Sequence, residues 1–179
     1  YGKNVVNHLN GIFAFAIWDT NNNEIFLARD HFGVKPLFYT KIDETLVFSS
    51  EIKALFQYPG VKKVLNEQSI SELFGIGPAH TSGTTVFKNI YEIKPAHFGI
   101  FNKNGFNIKR YWKLKSEKHV DTFEETCEKL KFLLNDAITR QLVSDMPLCT
   151  FLSGGLDSSI ITKFASDYCE KQGLPPLDR

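Results

Sequence analysis

The sequence predicts an α+β domain of short antiparallel strands, followed by the opening strand, loop and helix of an α/β unit. Three observations carry this. From Gly11 to Ser50, short apolar runs alternate with clusters of turn-forming residues, the way antiparallel sheet is written. After Trp112 the text changes to "KLKSEKHVD", charged and uninterrupted by core residues, and a boundary between units is expected there. Beyond it, the apolar run "LCTFL" leads into a Gly/Ser loop and then into residues whose apolar members fall at helical spacing.

In chain order, "YGKNVVNHLNG" reads as the tail of a helix already under way. "IFAFAIW" (Ile12 to Trp18) and "EIFLAR" (Glu24 to Arg29) flank "DTNNN", whose side chains bond to their own backbone and tolerate left-handed dihedrals, so a hairpin is expected. Both faces of the first run are apolar, which predicts a central strand covered on both sides, with the second strand nearer an edge. "PLFYT" and "TLVFSS" repeat the pattern around "KIDE". Short helices are expected from Glu51 to Gln57 and around Asn66 to Phe74. Gly75 to Tyr91, rich in Gly, Pro, Thr and Ser, reads as a long ordered loop. "HFGIFN" and "FNIKRYW" then surround the turn signal "KNG".

In the second unit Phe123, Cys127, Leu130, Leu134, Ala137, Ile138 and Leu142 recur at three- and four-residue intervals. "TFEE" supplies a capping box, with Thr122 at N-cap and Glu125 at N3. This predicts a helix with one buried face and Cys127 within its core stripe. Pro147 ends the pattern, and "LCTFL" is expected as a doubly covered parallel strand with Cys149 in its core.

At 179 residues and 42% hydrophobic, the chain has material for one domain and part of a second. Lysine plus arginine (21) balances aspartate plus glutamate (20), so no global field favours nucleic acid, anionic lipid or an acidic partner, and binding has to be local. Cys127, Cys149 and Cys169 form no C-x-x-C pair, and there is no signal-peptide core or apolar span of ~20 residues. A reduced, cytoplasmic protein without membrane contact is expected. There is no initiator Met, and the chain stops where a nucleotide-binding domain would need more strands, so an excerpt of a longer chain is expected.

"SGGLDSS" carries the chemistry. Placed between a strand and a helix, it meets free amides and the positive end of the helix dipole, which attract anions. Gly154 and Gly155 let the backbone bring its N–H groups against phosphate oxygens, and Ser153, Ser158 and Ser159 can add hydroxyl donors. Asp157 would repel a phosphate unless a divalent cation stood between them, which argues for Mg²⁺ bridging carboxylate and pyrophosphate. No Walker lysine follows, and the spacing fits neither G-x-G-x-x-G nor G-x-S-x-G. The plainer alternative is a loop that merely caps a helix, but a cap needs one such residue and this loop has several.

"SGGLDSS" resembles the pyrophosphate loop of the N-type ATP pyrophosphatases. With Leu156 rather than valine it is most similar to that of the asparagine synthetases. Upstream, "LNGIFAFAIWD", "LARDHFGVKPLFY" and "FSSEIKALF" resemble the later part of the class II glutamine amidotransferase domain of the glutamine-dependent asparagine synthetase family, as do "FKNIYEIKPAH" and "RYW". The resemblance implies an α+β four-layer, Ntn-hydrolase-like glutaminase domain over 1–115. After it, over 116–179, would come a linker helix and the start of an α/β adenine nucleotide alpha hydrolase-like (PP-loop) synthetase domain. It further implies ATP and Mg²⁺ as cofactors, aspartate and glutamine as further substrates, and β-aspartyl-AMP as the intermediate. Leu152, Ser153, Gly154, Gly155, Leu156, Asp157, Ser158 and Ser159 would form the ATP/pyrophosphate site, with Asp157 reaching Mg²⁺ through the pyrophosphate.

The family's glutaminase nucleophile is an N-terminal cysteine. Residue 1 here is Tyr and no cysteine precedes Cys127, so no catalytic residue of that reaction is expected in this chain. A homodimer is left open. A related enzyme acting on another carboxylate, or an inactive binding homologue, are the alternatives. "RDHFGVKP", with Arg29, Asp30, Gly33, Lys35, Pro36 and Leu37 matching the family pattern, reads as a rigid connector, since no nucleophile adjoins it. His8, His80, His97 and His119 lack metal-ligand spacing.

Overall fold

The structure is a computed structural model and describes residues 1–77 and 80–177. The chain divides into two compact units, Tyr1–Lys115 and Ser116–Arg179.

The first unit opens with a 3₁₀ turn, Gly2–Asn7, followed by β1 (Ala14–Asp19), β2 (Glu24–Arg29), β3 (Phe38–Ile42) and β4 (Thr45–Ser49). Helices α1 (Ile52–Leu55) and α2 (Glu67–Ile76) come next, then β5 (Tyr91–Glu92), β6 (His97–Asn102) and β7 (Gly105–Arg110). The strands form a four-stranded sheet of order β1-β2-β6-β7 and a three-stranded sheet of order β4-β3-β5. In the first hairpin the Asp19 carboxylate accepts from the amides of Asn21 and Asn22 at 2.9 and 3.1 Å, and Asn23 takes φ of 50°. The turn chemistry read from "DTNNN" is thus what closes the hairpin.

The placement of the two hairpin strands is the reverse of the expectation. β1 is an edge strand among the described residues, with Ile17 and Trp18 48% and 55% exposed. β2 lies inside, paired with β1 from Ala14↔Arg29 to Asp19↔Glu24 and with β6 from Ile25↔Phe101 to Ala28↔Phe98. Its alternating side chains feed two cores. Leu27 joins Leu37, Leu46 and Ile93 in a cluster drawn from both sheets, while Phe26 and Ala28 pack with Val6 and the rings of Phe13, Phe15 and Phe98. Apolar residues on both faces say that a strand meets apolar groups, not how many strands flank it.

α1 packs on β4 and β3 and buries Leu55. α2 starts where Asn66 Oδ1 accepts from the Gln68 amide at 3.2 Å, an N-cap that sets its first turn. The long-loop reading of Gly75 to Tyr91 is followed over 80–90, where bridges Leu65↔Phe87 and Thr84↔Tyr91 tie the chain down. Pro78 and Ala79 lie outside the described residues.

The second unit holds α3 (Phe123–Arg140) and α4 (Leu156–Gln172). The capping box forms as read: the Thr122 amide donates to Glu125 Oε2 at 2.9 Å and the Glu125 amide donates to Thr122 Oγ1 at 3.3 Å. Ala165, Cys169 and Leu177 make the core, with Ile138, Leu142 and Leu148 against them. Three expectations fail here. α3 has no buried residue, with Phe123 78% exposed, and both Cys127 and Cys149 are exposed; Cys169 is the cysteine in the core. "LCTFL" is no named strand. The reason is common to all three: a stripe or a parallel strand is buried only by neighbours, and among the described residues only the end of α3 meets the α4 cluster. No helix of the described residues is long and apolar enough to cross a membrane.

Candidate functional site

The candidate residues fall in two places: the "RDHFGVKP" turn of the first unit and the glycine loop of the second. In the turn, Arg29 leaves β2 and spends its guanidinium on four acceptors. Nε donates to Lys35 O at 2.7 Å, Nη2 to Gly33 O at 2.7 Å, and Nη1 to Ile93 O at 2.6 Å and Glu92 Oε2 at 2.9 Å. The Arg29–Glu92 pair is buried, 8% and 9% exposed at the side chains. Asp30, 2% exposed, accepts from the amides of Phe32 and Val34 on Oδ1 and of Lys35 on Oδ2, at 3.1, 3.0 and 3.0 Å. Arg29 and Asp30 therefore bind the backbone of the turn rather than each other.

Burial works to raise the Asp30 pKa, but the backbone amides of Lys35, Val34, Phe32 and Gly33 outweigh it and hold the carboxyl below its ordinary range. Burial, with the charge of Asp30 adding, pushes the Tyr111 phenol up to about 12. That phenol donates to Arg29 O at 2.8 Å. Gly33 takes φ of 68°, and a Cβ there would stand 2.7 Å from Pro95 Cγ and 3.0 Å from Arg29 Cζ, so only glycine fits. His31 stands edge-on to Tyr111 and Trp112 at ring distances of 5.3 and 5.2 Å. The Arg29 guanidinium and the Asp30 carboxylate are thus both engaged in holding the turn, as a rigid connector requires. Glu92, the buried partner 63 residues from Arg29, carried no signal in the sequence.

In the second unit Leu152 is half exposed, followed by Ser153 and by Gly154, whose φ of 82° turns the chain. Gly155 is the N-cap of α4, with no side chain capping it, and Leu156, Asp157, Ser158 and Ser159 make the first turn. The leading amides of that helix therefore have no side-chain acceptor and point out of its N-terminus. Asp157 is exposed among them. The serines behave differently from simple outward donors. Ser158 Oγ and Ser159 Oγ both donate to Gly155 O, at 3.1 and 2.8 Å, and Ser153 Oγ lies 3.0 Å from Ser158 Oγ. Their protons run toward one carbonyl, which stiffens the loop and leaves the amides as the open donors. Thr150 and Thr162 hold buried hydroxyls without a partner on either side of the loop in sequence. Among the described residues no group of three or more His, Cys, Asp and Glu gathers to hold a metal, so a cation here would depend on Asp157 and the oxygens of a bound phosphate.

The arrangement is a glycine loop with open amides at a helix N-terminus, downstream of an antiparallel domain with a clamped turn. The sequence profile of the glutamine amidotransferase domain family matches residues 1–112, and the chain belongs to that family. The profile of asparagine synthase matches residues 129–174. Asparagine synthetase [glutamine-hydrolyzing] 3 of Bacillus subtilis is 54% identical over 98% of this chain and 28% of its own length. Asparagine synthetase [glutamine-hydrolyzing] 2 of the same organism is 37% identical over 97% of the chain and 24% of its own length. Amidase chry2 of Gibberella zeae is 32% identical over 97% of the chain and 26% of its own length. The chain thus spans about a quarter of the length of these curated relatives. Among solved structures, glutamine phosphoribosylpyrophosphate amidotransferase of Bacillus subtilis covers 97% of the chain and 33% of its own at 20% identity, with a TM-score of 0.38, too loose a likeness to build on.

Proposed function

We propose that the chain is part of a glutamine-hydrolysing asparagine synthetase. Residues 1–115 would be the later part of its four-layer, Ntn-hydrolase-like glutaminase domain, and 116–179 the linker helix and the start of its PP-loop synthetase domain. The observation that carries this is the open-amide loop at the α4 N-terminus, downstream of an amidotransferase-family domain, in a chain 54% identical to such an enzyme over nearly its whole length.

The reaction converts ATP, aspartate, glutamine and water to asparagine, AMP, pyrophosphate and glutamate. The aspartate side-chain carboxylate attacks the α-phosphorus of ATP, pyrophosphate leaves, and ammonia displaces AMP from β-aspartyl-AMP. This chain's contribution is to hold the pyrophosphate end. The amides of Leu156, Asp157 and Ser158 would receive its oxygens, and Gly154 and Gly155 allow the approach. Ser158 and Ser159, donating to the Gly155 carbonyl, would keep it turned away from the anion, Ser153 would brace Ser158, and Leu152 would flank the nucleotide. Asp157 would help to hold Mg²⁺, which would supply charge that neutralises the pyrophosphate. A cytoplasmic setting, with a homodimer still open, completes the proposal.

The test replaces the matching part of the Bacillus subtilis relative with this chain and follows AMP and pyrophosphate release. We expect aspartate-dependent release, lost by about tenfold or more in Asp157→Ala, as removal of a charged contact predicts. A folded chimera that shows no aspartate dependence overturns the proposal. The alternative reading, amidation of another carboxylate, is detected by the same assay when aspartate is exchanged for other acids.

A further inference from the structure

Asparagine followed by glycine occurs twice in the chain, at Asn10–Gly11 and at Asn104–Gly105. In this dipeptide the glycine nitrogen can attack the asparagine Cγ, because no Cβ on the following residue crowds the approach. The N–Cγ bond forms, the side-chain nitrogen leaves as ammonia with the proton of the glycine amide, and a cyclic succinimide results. Water then opens either of its carbonyls, giving aspartate or isoaspartate. Nothing is oxidised or reduced, and water is the sole co-reactant.

Steric room does not distinguish the two sites. Both asparagines are exposed, and a Cβ on either glycine would meet nothing within 4 Å. Hydrogen bonding does distinguish them. Lys103 and Asn104 form the turn between β6 and β7, closed by the pair Asn102↔Gly105, and the Asn104 amide donates to Asn102 Oδ1 at 2.9 Å. A turn closed in this way engages the Gly105 N–H with the Asn102 carbonyl, so the attacking nitrogen is held in the hairpin. Next to it Phe106 packs against Tyr39 and Phe101, at ring distances of 4.9 and 6.4 Å, which keeps the hairpin shut. Asn10 has no such restraint. It lies between the 3₁₀ turn, where the His8 amide donates to Val5 O at 2.9 Å, and Phe13, whose carbonyl accepts from the Asp30 amide at 2.8 Å. From Leu9 to Ile12 the chain is in no helix or strand, and among the described residues its backbone makes no hydrogen bond.

We propose that Asn10 is a site of spontaneous covalent modification, converted through the succinimide to aspartate and isoaspartate, and that the hairpin protects Asn104 from the same reaction. Conversion lowers the formal net charge of +1 by one. The isoaspartate product also routes the backbone through the former side chain, which adds a carbon to the lead into β1. That lead ends at the Phe13 carbonyl, the tie to the Asp30 turn, so the modification loads the connector from its β1 side.

Incubation of the 179-residue chain at mildly alkaline pH, followed by peptide mapping with mass spectrometry, tests this. The Asn10 peptide is expected to gain the mass difference between amide and acid and to separate into aspartate and isoaspartate forms. The Asn104 peptide converts more slowly by about tenfold or more, since it reacts only when the hairpin opens. In concentrated urea the two peptides convert at similar rates. Gly11→Ala, measured in urea where folding plays no part, slows Asn10 and leaves Asn104 unchanged. An unconverted Asn10 in the folded chain, an Asn104 as fast as Asn10 there, a rate ratio that urea does not change, or a Gly11→Ala chain as fast as wild type in urea would each overturn the proposal.

Discussion

At Asp30 a single carboxylate organises the connector between β2 and β3, because three amides in one turn point at its two oxygens. Its depressed pKa fixes the sign of its pH dependence. The stabilisation is fully present above the unfolded value of about 3.9 and is lost as pH falls through the lower folded value. Asp30→Asn keeps the shape but weakens the acceptors, at a cost of about 2 kcal/mol near neutral pH. Urea unfolding should show that gap narrowing below about pH 4; a gap constant from neutral to acid pH would refute the role. Arg29 is of the same kind, with a complication. Its four bonds include a buried pair with Glu92, and removing either charge strands the other, so neither residue is a neutral site for substitution. The Arg-Asp pattern was visible in the text as a likeness and as a turn. That Arg29 would find Glu92 was not, since nothing local relates the two.

Helix ends were the most legible elements. The Thr122/Glu125 box is a contact between residues three apart, so the sequence contains both partners and their spacing. The expected cost of Thr122→Ala is about 1 kcal/mol, read as a lowered thermal midpoint by circular dichroism, with Thr122→Ser restoring most of it. If the alanine variant melts with wild type, the box contributes nothing. The stop of α4 is equally local: Gly173 takes φ of 65° and the Leu174 amide donates to Cys169 O at 2.9 Å. Element interiors were less legible. The α3 stripe has the period of a buried face and yet no buried residue, because period reports the capacity to be covered and not the presence of a cover. In the glycine loop, residue types and turn were readable, while the inward bonds of Ser158 and Ser159 depend on rotamers that composition does not specify.

For the whole molecule, the stretch from Lys113 to Val120 is exposed and lies in no helix or strand. Limited trypsin digestion should cut first at Lys113, Lys115 or Lys118, and the larger product should keep the near-ultraviolet signature of the packed rings around Phe26 and Phe106. First cleavage inside β1 to β7 would show that the units are not compact as described. By itself the sequence determined the turns, the caps, the glycine loop and the family likeness, all of which rest on residues within a few positions of one another. Only the tertiary structure decided that β2 and not β1 is flanked on both sides, and that Glu92 neutralises Arg29. Those outcomes depend on pairings between distant segments, and strand order and burial are set by which surfaces meet rather than by what each one is made of.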